Sequence, residues 1–493
     1  MKSKLVLVAL LIIGIMSSSK QLKSEQVFSS NRPYDAVIVG GGIAGMTAAF
    51  YLKDYHIVVL EKQERVGGRA FSEEYKGFFY ARGTEYLGQP EDALKEIIKS
   101  LNLTPREIPY PADIHYDNGT YYYGEMGKAL YLIKMSDLKT YNRFVNTILE
   151  TYEDYEDIPE LSLNSELMEL DEITARQWFE RNRFPKVYQD TYNVTFKGLF
   201  GATIDEISAL SALTEIAFDF EGEEKIGDLD DLENIGTPGK YKTGMFSFDK
   251  GIAEIPLAIA SIMKEKVQLR SLVTKVEKSG KLYRVFYQTQ DGATAEVLAR
   301  SVILATPAPV SLKIGDEVLS KEQKSILDQV SYASYLTVAL FSSDKIFNRG
   351  FDLAMPDGNL FTDIYDATWI QRYYNPKLKE RNTWVTTLYI APKSYKDHSI
   401  LMQPEDELMT RLYDELDKLF PGARSKVEKY EVTRFLYAYP VMTKGAYRRL
   451  TRLHQISGKG IFLAGDYMIY PTFEAAAESG SIAADKLEGW LGL

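Results

Sequence analysis

The sequence predicts an α/β protein: a doubly wound domain, discontinuous in sequence, with a mixed α+β domain inserted between its pieces. Three observations carry that prediction. The run "YDAVIVGGGIAGMTAAFYL", Tyr34 to Leu52, reads as strand, glycine turn and helix. The run "HIVVLE", His56 to Glu61, is too uniformly apolar for a strand with a solvent face, so it belongs in a parallel sheet covered on both sides. Buried-looking strands recur far downstream, in "SVILATP" and "GIFLAGD", so distant parts of the chain complete the sheet.

Taken in order, Lys2 and Lys4 precede the apolar run Leu5 to Met16, and Ser17, Ser18 and Ser19 follow it. That is the layout of a secretory signal peptide, so residues 1–19 are expected to direct export to the periplasm or beyond. Twelve apolar residues fall short of the ~20 needed to cross a bilayer. No twin-arginine pair precedes the run, so a large cofactor would be acquired after translocation. Residues 20–33 are polar, aperiodic and end in Pro33, as a linker does.

A first βαβ piece then spans 33–95, and residues 96–239 turn helical, as in "MSDLKTYNRFVNTILETYEDY" and "ITARQWFERNR". Within that block Asn118 and Gly119 mark a hairpin in "IHYDNGTYYYG", and the acidic tract Asp228 to Asn234 reads as a solvated boundary loop. Residues 240–306 carry period-two strands with turns at Ser279–Gly280 and Asp291–Gly292, ending in "SVILATP". The stretch 307–449 mixes strands ("YLTVALFSS", "NTWVTTLYIA") with a helix near "EDELMTRLYDELDKLF". Residues 450–493 close with "GIFLAGD" and a final helix.

Composition narrows the chemistry. A chain of 493 residues with 45% hydrophobic and 26% charged residues is globular and large enough for two or three domains. A formal net charge of -11 argues against a nucleic-acid partner, because phosphate backbones need clustered Lys and Arg. The 34 Tyr and 23 Phe are spread along the chain, as packing residues are. There is no Cys, which removes disulfides, thiolate nucleophiles and thiolate metal sites. The four His stand far apart, so a metal-free redox or acid-base site is expected.

Gly40, Gly42 and Gly45 have the GxGxxG spacing. One glycine lets the chain turn sharply, the next admits backbone amides to a pyrophosphate, and the third lets helix and strand pack closely. The helix amino terminus then faces the phosphates. Glu61 closes the second strand sixteen residues after Gly45, where a carboxylate accepts both hydroxyl protons of a ribose. An acid there disfavours a ribose phosphate, so NADP is set aside while NAD and FAD remain. Next, "RVGGRAFS" places Gly67 and Gly68 ahead of Arg69, a second close backbone approach with a positive charge beside it, which NAD enzymes seldom need.

With these residues the chain resembles the flavin-containing amine oxidase superfamily, which also includes protoporphyrinogen oxidases and phytoene desaturases. Five segments in order carry the resemblance: "VIVGGGIAGMTAA", "EKQERVGGRAFS", "GLFGATIDEISALSAL", "LVTKVEKSG" with "VILATP", and "IFLAGDYMIYPTFEAAAESGSIAA". It implies FAD as cofactor, Glu61 on the adenosine ribose, Gly68 and Arg69 along the pyrophosphate, and the Val273 backbone beside the adenine. It further implies Gly465 and Asp466, in "AGD", at the ribityl chain, with Thr472, Phe473 and the helix after them at the pyrimidine edge of the isoalloxazine. A positive helix end there stabilises an anionic reduced ring. The plainer role for Asp466 is a turn cap.

In oxidases of this superfamily a lysine often holds a water beside the flavin's reactive nitrogen, and Lys313 in "ATPAPVSLKI" matches that segment. A surface lysine after a strand is the alternative. Two rings flank the substrate nitrogen in the amine oxidases. Tyr437 and Tyr447 in "YAYPVMTKGAY" stand near one such position, and Thr472 falls at the other, so half the cage is missing and larger or less basic molecules have room. Ordinary packing is the alternative for Tyr447. The family commonly has an aspartate shortly before the glycine of "FFYARGTEYLG", where this chain has Ala81 and then Glu85. Glu85 either faces the cavity and binds a cationic group or pairs with Arg82 or Arg69.

The resemblance thus implies an oxidoreductase that takes a hydride from an amine, or a similarly activated C–H or C–N group, with dioxygen or a quinone as acceptor and no metal. A desaturase or tetrapyrrole oxidase on the same scaffold is the alternative, with peripheral membrane contact for its lipid-soluble substrates. A flavin-binding interaction protein without turnover is a third reading, since nucleotide contacts certify binding only.

Overall fold

The computed structural model describes residues 32–152, 158–161, 165–218, 220, 242–347 and 349–492; the expected leader at 1–19 and the acidic tract at 228–234 lie outside them. No helix among the described residues is long and apolar enough to cross a membrane. Strand Tyr34–Val39 pairs in parallel with Ile57–Leu60 on one side and Thr294–Leu304 on the other. Ile461–Leu463 and Val267–Gln268 extend this parallel set, so one sheet draws on three separated parts of the chain. Strand alternation sends Val37 and Val39 to one face and Ile38 to the other, and all three are buried.

The Ile38 face shares a core with the first helix (Ile43–Tyr51), helix Glu254–Met263 and the C-terminal helix (Phe473–Leu491), through Met46, Ile255 and Ala477. The opposite face shares its core with the antiparallel strands Leu272–Ser279 and Leu282–Gln288, through Val276 and Val285. Two glycines set the closest approaches. A Cβ on Gly45 would sit 2.0 Å from the Gly40 carbonyl oxygen, and one on Gly480 would sit 2.1 Å from that of Ala44. The first and last helices therefore meet backbone to backbone, which only hydrogen side chains allow.

A second sheet of seven strands runs in the order Val427–Pro440, Tyr332–Ser342, Trp384–Ile390, Asp363–Asp366, Asp352–Ala354, Ile114–Asp117 and Thr120–Tyr123. Leu336, Val338, Ile364 and Leu388 on one face form a core with Leu408, Leu412 and Leu416, the apolar stripe of helix Glu405–Leu419. The residues between them, Tyr335, Thr337, Asp363, Tyr365 and Tyr389, turn to the other face. The last two strands form the expected hairpin, with Asn118 at φ 47° and Gly119 at φ 85° supplying its left-handed turn.

The helical block is held by rings. Phe144 on helix Leu138–Tyr152 lies within 6.4 Å, centroid to centroid, of Trp178, Phe179, Phe184, Tyr188 and Tyr192. Each such ring buried contributes roughly 1.5–3 kcal/mol. The abundance of Tyr and Phe is in large part this packing.

Candidate functional site

One continuous cavity of about 2990 Å³ is lined by both glycine turns, by the polar face of the second sheet and by the helical block. At one end Glu61 is 6% exposed. Its Oε2 accepts the Gly41 N–H at 2.6 Å and its Oε1 accepts the Gln63 N–H at 2.8 Å. These bonds fix the carboxylate on the cavity wall while each oxygen keeps a second lone pair for a hydroxyl. The first helix begins at Gly42 with no side-chain cap and no acid in its first turn. Gly42, Ile43 and Ala44 line the cavity, so this amino terminus is open to an anion.

The second glycine turn docks on the first. The Gly67 N–H donates to the Gly41 carbonyl at 2.8 Å, and Gly68, at φ +58°, lies against the Gly42 Cα. Arg65, on the cavity wall, donates to the Gly68 carbonyl at 3.0 Å and holds its guanidinium 3.5 Å from the Phe71 ring centroid. Val273 is 7% exposed and lines the same end. A fixed carboxylate, two interlocked glycine turns and an uncapped helix end fit a dinucleotide: ribose, pyrophosphate, adenine.

Further along, Gly465 and Asp466 follow strand Ile461–Leu463 onto the cavity wall. Asp466 is 4% exposed. Its Oδ2 lies 2.7 Å from Arg69 Nη1, and its Oδ1 accepts the Tyr467 N–H at 3.0 Å. Arg69 also donates to the Ala438 carbonyl, so one guanidinium joins the second glycine turn, the "AGD" turn and strand Val427–Pro440. Burial pulls the Arg69 guanidinium toward neutrality, and the Asp466 charge beside it outweighs that pull. Thr472 caps the C-terminal helix, its hydroxyl accepting the Ala475 N–H at 3.1 Å, and Phe473 follows on the cavity wall.

Beyond this point the cavity enters a chamber under the second sheet. Its walls mix the rings of Tyr335, Tyr365, Tyr389 and Tyr439 with the carboxyls of Glu85, Asp352 and Asp363. Burial pushes Glu85 up to about 8; the Tyr389 hydroxyl, 3.4 Å from its Oε2, works against the rise and Asp366 adds to it. Asp363 is pushed up to about 7 by burial and the charge of Asp113, and Asp352 stands well above the usual range for the same kind of reason. His115, also on the wall, is pushed down to about 4 by burial and the Lys128 charge. Glu85 pairs with neither arginine: Arg82 is bound to Glu73 and Glu431 at 3.0 and 3.1 Å, and Arg69 to Asp466.

Two expected residues do not join the cavity. Helix Ala308–Ile314 buries Ala308, Ser311 and Ile314, and Lys313, two residues on from Ser311 and so about 200° around the axis, is exposed on the outer side. Val310 and Ile314 face the cavity in its place. Tyr447 is 1% exposed and belongs to the helical core, its hydroxyl 3.5 Å from Thr214 Oγ1. The reason is local: the strand ends at Pro440 and a new helix, Ala446–Ile456, starts under Asp171, whose carboxylate accepts the Tyr447 and Arg448 N–H groups at 3.2 and 3.1 Å. Tyr437 and Thr472 do line the cavity. Nothing in the sequence singles out Asp352 or Asp363; period-two spacing in "DIYD" is the one local signal, and it is two residues long on each face.

The fold and this cavity define a dinucleotide-dependent redox protein, and comparison identifies its family. The model of the flavin containing amine oxidoreductases matches residues 43–487. The chain belongs to that family, a class of FAD-dependent oxidoreductases, and FAD is its cofactor. It is 29% identical over 160 residues to a probable flavin-containing monoamine oxidase A of Dictyostelium discoideum, over 30% of this chain and 33% of that one. It is 22% identical over 331 residues to an L-amino-acid oxidase of Pseudechis australis, over 64% of this chain and 59% of that one. The alignments thus span less than two thirds of these relatives' own length. Among solved structures, cyclohexylamine oxidase from Brevibacterium oxydans IH-35A shares the fold, with a TM-score of 0.71 at 17% identity, covering 94% of this chain and 100% of that one.

Proposed function

We propose that this protein is an amine oxidase whose substrate is a cationic amine without a carboxylate. The supporting observation is the continuity of one cavity from the dinucleotide cradle at Glu61 to a chamber walled by aromatic rings and buried acids. When bound, FAD supplies a two-electron acceptor for the C–H bond beside the amine nitrogen, and dioxygen or a quinone reoxidises it.

The chain's own residues supply position and field. Glu61, the two glycine turns and Arg65 hold the dinucleotide half, and Asp466 with the Phe473 helix end bounds the other half. Tyr437 and Tyr439 on the strand Val427–Pro440, and Tyr470 from the turn before the C-terminal helix, line the same cavity with rings that can flank a cationic nitrogen. Glu85, Asp352 and Asp363 offer acceptor oxygens that an ammonium group favours in their charged form, whereas a carboxylate among them would add one more acid to a buried acidic set, which disfavours amino acids and propionate-bearing tetrapyrroles. A chamber with three buried acids is equally unsuited to an apolar polyene. Export, expected from the pattern of Lys2 to Ser19, belongs to the same proposal.

Anaerobic mixing of the FAD-loaded protein with alkylamines, amino acids, tetrapyrroles and polyenes tests this. Bleaching of the flavin absorbance by amines alone is expected. Bleaching by any other class without the amines, or by none, overturns it.

A further inference from the structure

We infer that His454 is a positioning residue for the coenzyme: from behind the cavity wall it fixes the turn that carries Asp466, and Lys486 in its turn fixes His454. This rests on the proposed placement of Asp466 at the flavin half of the cavity and names the support behind it. The turn follows strand Ile461–Leu463, and its Gly465, Asp466 and Ile469 line the cavity. Met468, between the last two, is 1% exposed. Its N–H donates to the Gly465 carbonyl at 2.9 Å, within the short helical turn Asp466–Met468. Its own carbonyl, at the open end of that turn, meets the imidazole of His454, with Nε2 at 2.8 Å.

The histidine breaks the pattern where it stands. Helix Ala446–Ile456 buries Ala446, Tyr447, Leu450 and Leu453, and His454, 6% exposed, joins that apolar set. A buried polar side chain there requires partners, and this one has a partner at each nitrogen. Lys486 Nζ, on the C-terminal helix, lies 3.4 Å from Nδ1. An ammonium only donates and a carbonyl only accepts, so Nδ1 accepts from Lys486 and Nε2 carries the proton that goes to Met468. The two neighbours thus select one tautomer. Burial and the Lys486 charge push the imidazole down to about 4, against the pull of the Met468 carbonyl, so the ring is neutral at neutral pH. Lys486 also donates to the His454 carbonyl at 3.0 Å, one of the four that a helix leaves open at its carboxyl end.

Both ends of the turn are therefore referred to one helix. The Gly465 N–H donates to Ser479 Oγ at 2.8 Å, and Met468 reaches Lys486 through His454. Ser479 and Lys486 stand about two turns, or about 10 Å, apart along the C-terminal helix. The amino end of the same helix, at Phe473, lines the cavity too. Asp466 and that helix end consequently hold their spacing, with Arg69 Nη1 pinning the front of the turn 2.7 Å from Asp466 Oδ2. An imidazole suits the link because it donates at one edge and accepts at the other across a rigid ring. A glutamine amide has the same two capacities. Leucine fills the space and has neither, which leaves the Met468 carbonyl buried without a donor.

The test uses the full chain, stripped of FAD and reloaded. Fluorescence titration gives the Kd for FAD, visible circular dichroism reads the setting of the bound flavin, and the Tm of each FAD-free variant confirms folding. His454→Leu is expected to bind FAD about tenfold more weakly and to alter the flavin spectrum, whereas His454→Gln stays within about threefold of the parent and keeps its spectrum. A role in stability alone would lower Tm and leave the flavin spectrum as it is. Nitrogen NMR of the imidazoles is expected to show that the ring lost in His454→Gln is protonated at Nε2, a measurement that does not need His454→Leu to fold. A folded His454→Leu with the parent's Kd and spectrum, a His454→Gln no better than His454→Leu, or a ring protonated at Nδ1 overturns the inference. If Asp466→Asn changes Kd and spectrum while His454→Leu does not, His454 alone loses its role; if Asp466→Asn changes neither, the placement of Asp466 at the flavin itself fails.

Discussion

Replacing Glu85 by Gln tests the electrostatics of the chamber without changing its shape. Glu85 is 9% exposed, and burial raises its carboxyl from 4.5 to about 8. Between those two pH values the folded protein keeps a proton that the unfolded chain has lost, so stability falls as pH rises through this window. At ~1.4 kcal/mol per pH unit the rise corresponds to about 5 kcal/mol above pH ~8 and to almost nothing near pH 4. A neutral Gln carries no such burden, and the loss of the long Tyr389 contact, 3.4 Å, subtracts little. A chain of this length has an unfolding entropy of roughly 1 kcal/mol/K, so Glu85→Gln is expected to raise Tm by about 5 °C at pH 9 and hardly at all at pH 5. Differential scanning calorimetry of both proteins across that range reads the difference directly. A Tm difference independent of pH, or a variant less stable than its parent at pH 9, refutes the reasoning.

Glu61→Gln sets an amide NH2 against a backbone N–H that now bonds a carboxylate oxygen at 2.6 or 2.8 Å. Losing one charge-assisted bond of ~2 kcal/mol predicts FAD binding weakened about thirtyfold, measured by fluorescence titration of the stripped protein, and unchanged affinity would remove Glu61 from the ribose. Lys313→Ala, on the outer face of its helix, should leave the rate of flavin reoxidation by dioxygen within about twofold of the parent. A tenfold fall would restore the catalytic role that the motif implied.

The cofactor end was legible because its chemistry is local. Gly40, Gly42, Gly45 and Glu61 sit within one βαβ unit, and the docking of Gly67 on Gly41 at 2.8 Å is the close backbone approach that two glycine turns imply. The parallel sheet was legible for a similar reason, since only a doubly covered strand tolerates "VIV" and "IVVL". Side-chain direction was not. Lys313 lies in the last turn of one short helix and Tyr447 in the first turn of another; the phase of each is set by its first residue, after Pro307 and Gly445, and one residue of phase turns a side chain by about 100°. The aspartates of the chamber belong to strands of three and four residues, too short to show a period, and they meet only through sheet pairing.

Arg69 has a temporal consequence. The carbonyl it grips, on Ala438, lies 369 positions away along the chain, and its carboxylate partner is later still. The glycine turns come early in the chain, but their clamp closes only when Ala438 and Asp466 reach Arg69. The coenzyme clasp is therefore a product of long-range folding, late to form because so wide a loop must close first.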